Sequence, residues 1–228
     1  MIKVMARGNA AAEVLIYDPI GENWYGDGLT AKRFRDDLAA LGEVQDITVR
    51  INSPGGEVFD GFAIYNALKQ HPATVTVHVD GMAASIASVI AMAGDEIRMA
   101  ENAMLMIHDP WTIAMGSAED FRRKADLMDQ VKGNLVDTYA RRTGQDAGRI
   151  SELMAAETWM TAAQARELGF VDDVTEELQV AARFDVSRFR NPPKGLPIGE
   201  LLSARGNVYR AKLADIERRA QQFGAFPK

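Results

Sequence analysis

Short blocks of alternating apolar and polar residues recur along this chain, and stretches of helical character separate them. Ile47, Val49 and Ile51 form one block and Val75, Val77 and Val79 another, with a helix expected between them from about Glu57 to Gln70. Ala12 to Tyr17 opens the series as a strand, and Ile97 to Met99 and Met104 to Ile107 extend it. Thr30 is placed to cap a helix running to about Leu41, with Gly42 where a closing glycine belongs. Asp80-Gly81 reads as a tight turn and the residues from about Ser85 as a buried helix. Strands alternating with helices build crossover units, so the fold class is α/β.

Further along, Ser117-Ala118-Glu119-Asp120 is a capping-box pattern that opens a long helix to about Arg142. Asp120, Lys124, Asp129 and Lys132 mark its solvated side. Phe121, Leu127, Met128, Val131, Leu135, Val136 and Tyr139 supply an apolar stripe, for packing on its own core or gripping a neighbour. A second box, Thr161 to Gln164, opens a short helix closed by Gly169, after which Phe170-Val171 begins a final strand. The character changes beyond about Val180: Asn191-Pro192-Pro193-Lys194-Gly195 is a linker signal, and a basic helical stretch follows from about Asn207 to Phe223. The expected organisation is a domain over 1–182 and a linker with a basic tail over 183–228.

Composition removes several classes of chemistry. The chain has no cysteine, which excludes disulfides, thiolate zinc sites and a cysteine nucleophile. No metal or cofactor site is expected. A net charge of −6 argues against nucleic acid as a partner. The longest apolar run, Gly81 to Gly94, is about 14 residues, too short to cross a bilayer, and Met1 to Arg7 is not followed by a signal-peptide stretch. The expectation is a soluble cytoplasmic protein with no membrane contact.

Ser85 follows a strand in the small-residue segment Gly81-Met82-Ala83-Ala84-Ser85 and precedes a buried helix. A hydroxyl there meets unpaired backbone N–H groups and a helix dipole that favour developing negative charge. Either it is a nucleophile or it is an ordinary capping serine. Ala83 rules out the G-x-S-x-G pattern of α/β-hydrolases. Ser53-Pro54-Gly55-Gly56 leaves the preceding strand, where successive glycines admit a ligand close to the backbone. Either an N–H of this segment and that of Ile86, just after the serine, form the two halves of an oxyanion hole, or the segment is a plain strand-to-helix turn.

Of three histidines, His71 lies in a turn and His78 inside a strand, both structural readings. His108 ends an apolar strand at Asp109-Pro110, placed to face a cleft, and is either a general base or a third structural histidine. Glu157 is the candidate carboxylate partner; Asp109 points to the opposite side of the strand from His108, and Asp172 and Asp173 lie near the domain end. The order serine, histidine, acid differs from those of chymotrypsin, subtilisin and α/β-hydrolases.

Four ordered segments carry a family resemblance: Ile51 to Gly56, Gly81 to Ser85, Met106 to Pro110, and Thr161 to Asp172. Together they resemble the signature blocks of ClpP, the proteolytic subunit of the Clp protease, over about residues 12 to 178. The resemblance implies a crotonase-like α/β fold, a repeated ββα superhelix with an extended handle helix and strand. It implies a serine endopeptidase working through an acyl-enzyme inside stacked, heptameric homo-oligomeric rings. Matched by position, Ser85 is the nucleophile, His108 the base, Glu157 the acid, and Gly56 and Ile86 the oxyanion donors. The handle helix follows Ser117, and a strand near Trp111 to Met115 lines the substrate groove.

The chain departs from the family in three places. Glu157 stands where an aspartate is usual, the N-terminus lacks the axial-gate segment that accompanies docking to an AAA+ unfoldase, and the tail after about 183 has no counterpart in the housekeeping enzyme. The last two resemble phage and prophage relatives that mature heads by cleaving capsid or scaffold protein. ATPase-dependent general degradation, an acyl-CoA enzyme of crotonase fold and a catalytically silent shell component are the alternatives. The Ser85/His108 pair speaks against the latter two.

Overall fold

The computed structural model describes residues 5–6, 11–22, 28–177, 186 and 188–193. By internal contact the chain divides into Met1–Ala182 and Arg183–Lys228. Of the linker and basic tail expected over 183–228, all but 186 and 188–193 lie outside the described residues, the basic stretch from about Asn207 to Phe223 entirely so.

The larger unit is built on an eight-stranded sheet. Its spine is β2 (Ala11–Ile16), β3 (Asp46–Ser53), β4 (Thr74–Ala84), β5 (Glu96–Ala100) and β8 (Asp173–Thr175), all parallel. At its edge β1 (Met5–Ala6) lies antiparallel to β2. Strand β6 (Met104–Ile107) leaves this path to pair parallel with β4 and antiparallel with β7 (Thr158–Thr161).

Alternation decides which face is buried. Val14, Ile16, Ile47, Val49, Ile51, Val75, Val77, Val79, Ile97 and Met99 are all buried in one core. The core also takes Phe34 and Leu38 of α1 (Ala31–Ala39) and Ile64 and Leu68 of α2 (Val58–Lys69). Thr30 caps α1 as expected, its hydroxyl accepting from the Arg33 N–H. Ile64 is fully buried. Ile64→Ala should therefore cost about 2–4 kcal/mol in chemical denaturation with an unchanged denaturant slope.

The intervening polar face carries a charged network. Arg50 grips Asp80 through two nitrogens at 2.7 and 2.6 Å, and the Tyr17 hydroxyl donates to the same carboxylate. Burial, reinforced by Asp80, pushes the Tyr17 phenol up to about 12. His78 pairs in register with Arg50; burial and then the Arg50 charge lower its pKa.

Asp80-Gly81 is not a turn. Strand β4 runs through it to Ala84. The register against β3 shifts between Ile51/Val79 and Ser53/Ala83, placing extra β4 residues in a bulge. There β4 changes partner: Thr76–Val79 pair with β5, whereas Met82–Ala84 pair with β6. The apolar run after Gly81 is thus half strand and half helix, α3 being only Ile86–Ala91.

Helix α4 (Ala118–Thr143) carries the expected capping box at Ser117/Asp120 and ends at Gly144 in the left-handed region. Val131, Leu135, Val136 and Tyr139 reach the core, but Phe121 and Leu127 in the first half remain exposed. Trp111, Ile113 and Met115 are exposed too, and residues 110–115 form no strand within the chain. A single extended segment has no partner edge to bond, so the expected handle strand does not form from one chain alone.

Helix α5 (Ala147–Ala155) precedes β7, and α6 (Ala162–Glu167) opens with the second capping box. The last strand begins at Asp173 rather than Phe170, because Phe170 and Val171 turn into the core.

Candidate active site

The site assembles where β4 ends. Ser85 sits at the junction of β4 and α3 with φ 57° and ψ −130°, and its side chain makes no capping hydrogen bond. The hydroxyl does not cap the helix. It lies 2.8 Å from His108 Nε2. A non-glycine residue in this region costs of order 1–3 kcal/mol, which its surroundings must offset. The Ser85 N–H donates to the Met106 carbonyl at 2.9 Å. Its own carbonyl accepts from the Ser88 N–H at 3.0 Å and the Ser88 hydroxyl at 2.6 Å. Ser88 in turn lies 2.8 Å from the buried Tyr139 hydroxyl of α4, whose pKa burial raises.

His108 follows the last residue of β6 and is 9% exposed. The next residue, Asp109, turns away, as the strand argument requires. Its N–H donates to the Met154 carbonyl at 3.2 Å, and its carboxylate pairs with Lys132 of α4 at 3.0 Å. The Met154 carbonyl also accepts from the Glu157 N–H at 3.0 Å. One carbonyl at the end of α5 thereby ties the histidine loop to the acid.

Glu157 is 4% exposed, and its Oε2 lies 4.0 Å from His108 Nδ1. Its φ is 51°; with Ser85 it is one of two non-glycine residues of positive φ among those described. Both strained positions thus belong to the same constellation. Asp172 is remote from it, held by the Ile97 N–H at 2.7 Å and by Arg142. His71 accepts from the Ala73 N–H at 3.1 Å in its turn.

The two glycines close the other side. A Cβ on Gly55, whose φ is +78°, would lie 2.5 Å from the Ala84 carbonyl oxygen and 2.8 Å from Ser85 Cβ. It would also stand 3.0 Å from the Ile86 nitrogen, so glycine keeps the space beside that N–H open. Ile86 is the first residue of α3, where a helix has no acceptor for its own N–H. The Gly55 carbonyl accepts from the Ile20 N–H and the Glu57 N–H donates to the Ile20 carbonyl, a bridge that does not use the Gly56 N–H. A Cβ on Gly56 would fall 2.0 Å from the Ile20 oxygen, so this residue must also stay glycine.

A hydroxyl on an imidazole, a carboxylate behind it and N–H groups beside it suit acyl transfer. Comparison with known proteins agrees. The family model for Clp protease matches residues 8–178. The chain belongs to the Clp protease family. It is therefore a peptidase, and its sheet and helices have the ClpP-type α/β fold. The ATP-dependent Clp protease proteolytic subunit 2 of Corynebacterium diphtheriae is 34% identical over 144 residues, covering 62% of this chain and 72% of that protein. Subunit 1 of Mycobacterium tuberculosis is 34% identical over 145 residues, covering 63% and 72%. A solved point mutant of ClpP1 from Listeria monocytogenes superposes with a TM-score of 0.63 at 27% identity, covering 72% of this chain and 91% of that one. Membership in a peptidase family removes the acyl-CoA alternative.

Proposed function

We propose that the chain is a serine endopeptidase in which Ser85, His108 and Glu157 form the catalytic triad. The observation that carries this reading is the 2.8 Å contact between Ser85 Oγ and His108 Nε2 at a strained strand-to-helix junction. Ser85 Oγ attacks the scissile carbonyl carbon while Nε2 takes the hydroxyl proton. The N–H groups of Gly56 and Ile86 receive the oxyanion. His108 then gives its proton to the leaving amine, and the acyl-enzyme is hydrolysed by a water that the same imidazole deprotonates. The Glu157 carboxylate stabilises the imidazolium at each stage without itself becoming protonated.

The working form is a homo-oligomeric ring assembly that encloses these sites. Exposed Trp111, Ile113, Met115, Phe121 and Leu127 support this, since they are large apolar side chains that copies of the chain would cover. The bacterial relatives above are named as ATP-dependent subunits, which favours an AAA+ partner here as well. The reading as a head-maturation enzyme acting on capsid or scaffold protein rests on residues 183–228 of the sequence.

A fluorophosphonate probe, read by intact mass alongside light scattering on a sizing column, tests the reading. Wild type should take one label per chain in a ring-sized assembly, and Ser85→Ala none. An unlabelled wild-type ring would sink the triad in favour of a silent shell, and a labelled monomer would sink the chamber alone.

A further inference from the structure

Glu157 departs from the family's usual aspartate, and the residue two places on offers it a donor. Glu157 immediately precedes β7, and Trp159 is the second residue of that strand. The Trp159 Nε1–H donates to Glu157 Oε1 at 3.4 Å, while Oε2 is the oxygen 4.0 Å from His108 Nδ1. Trp159 is fixed in turn by the β6–β7 ladder, where it stands opposite Met106, two residues before His108. One strand pair therefore carries both the base and the group that holds its acid.

Glutamate has one more rotatable bond than aspartate, and an unanchored carboxylate spreads over more rotamers that miss the imidazole. An indole N–H donates and cannot accept, so it can hold one carboxylate oxygen and leave the other for the histidine. We infer that Trp159 is a positioning residue, its indole N–H holding the Glu157 carboxylate toward His108. The inference rests on the triad reading above.

The test compares Trp159→Phe, which keeps a ring and deletes the donor, with wild type and Glu157→Gln on a fluorogenic peptide. Rates are taken per fluorophosphonate-titrated site, so misfolded chains do not count. Trp159→Phe should lower kcat about 5- to 20-fold with KM within about twofold, as expected when orientation of a catalytic group is lost. A nearby carboxylate raises an imidazole pKa, so loosening it lowers that pKa. The acid limb of kcat/KM should then move to lower pH. In the Glu157→Gln background the same change should have no further effect.

A Trp159→Phe enzyme with the wild-type profile, while Glu157→Gln is impaired, overturns the positioning role and leaves the triad standing. An effect of Trp159→Phe undiminished in the Glu157→Gln background also overturns it, since the ring would then act by packing. A fully active Glu157→Gln enzyme removes the acid reading itself and the inference with it. Should Trp159→Phe fail to assemble, site-specific replacement of Trp159 by its benzothiophene isostere, which lacks only the N–H, reads the same quantities.

Discussion

Ser85→Ala will lower kcat on a peptide substrate by about five to six orders of magnitude, because in the proposed triad it removes the atom that attacks the carbonyl. That corresponds to roughly 7–8 kcal/mol of transition-state stabilisation. His108→Ala should cost nearly as much, and the double variant little more than either alone. The two groups act as a unit across the 2.8 Å contact, so removing one already idles the other. The fold should tolerate the serine change, because Ser85 is held through its backbone by Met106 and Ser88 while its side chain caps nothing. Thermal unfolding and assembly should stay near wild type while turnover disappears. Retention of more than about a tenth of the activity in Ser85→Ala, per assembled chain and free of contaminating peptidase, would refute the nucleophile.

The parts of this fold legible in sequence are those fixed by neighbours in the chain. The strands through Ile47 and Val75 announce themselves by alternation, and the helices after Ser117 and Thr161 by capping boxes in which both partners are three residues apart. Ser85 and His108 are candidates for a related reason, since each lies where a strand ends. What depends on distant partners was hidden. Asp80-Gly81 has the composition of a turn, but Arg50 on β3 and the switch of β4 from β5 to β6 make it a bulge. Helix α5 carries a local signal in its capping Asp146 and the helical spacing of Ile150, Leu153 and Met154, whereas β7, only four residues long, takes its identity from pairing with β6. The positive φ of Ser85 and of Glu157 was equally hidden, because neither is a glycine and only the surrounding hydrogen bonds hold them there.

Gly55→Ala will damage both the fold and the site, and the two losses should appear together. The added Cβ meets the Ala84 carbonyl oxygen at 2.5 Å and Ser85 Cβ at 2.8 Å, and neither is the far end of a flexible chain that can swing away. The backbone there has φ +78°, which alanine adopts at a cost of about 1 kcal/mol before any clash. Overpacking adds about 1–3 kcal/mol, so the loss of stability should be about 2–4 kcal/mol, or roughly 5–15 °C in Tm. Relief by moving β3 away from the junction would shift the Gly55-Gly56 backbone relative to Ser85 and Ile86. Fluorophosphonate labelling and peptide turnover in chains that still fold should therefore fall at least about a hundredfold, the cost of losing an oxyanion donor. Gly42→Ala is the matched control. Its φ is +68°, but a Cβ there meets nothing within 4 Å, so it should cost only the backbone term and leave labelling unchanged. If the two substitutions instead lose equal stability and both keep full labelling, the close approach of Gly55 to the nucleophile has no part in building the site. If only Gly55→Ala loses labelling, the glycine pair after β3 is there to bring backbone N–H groups against Ser85.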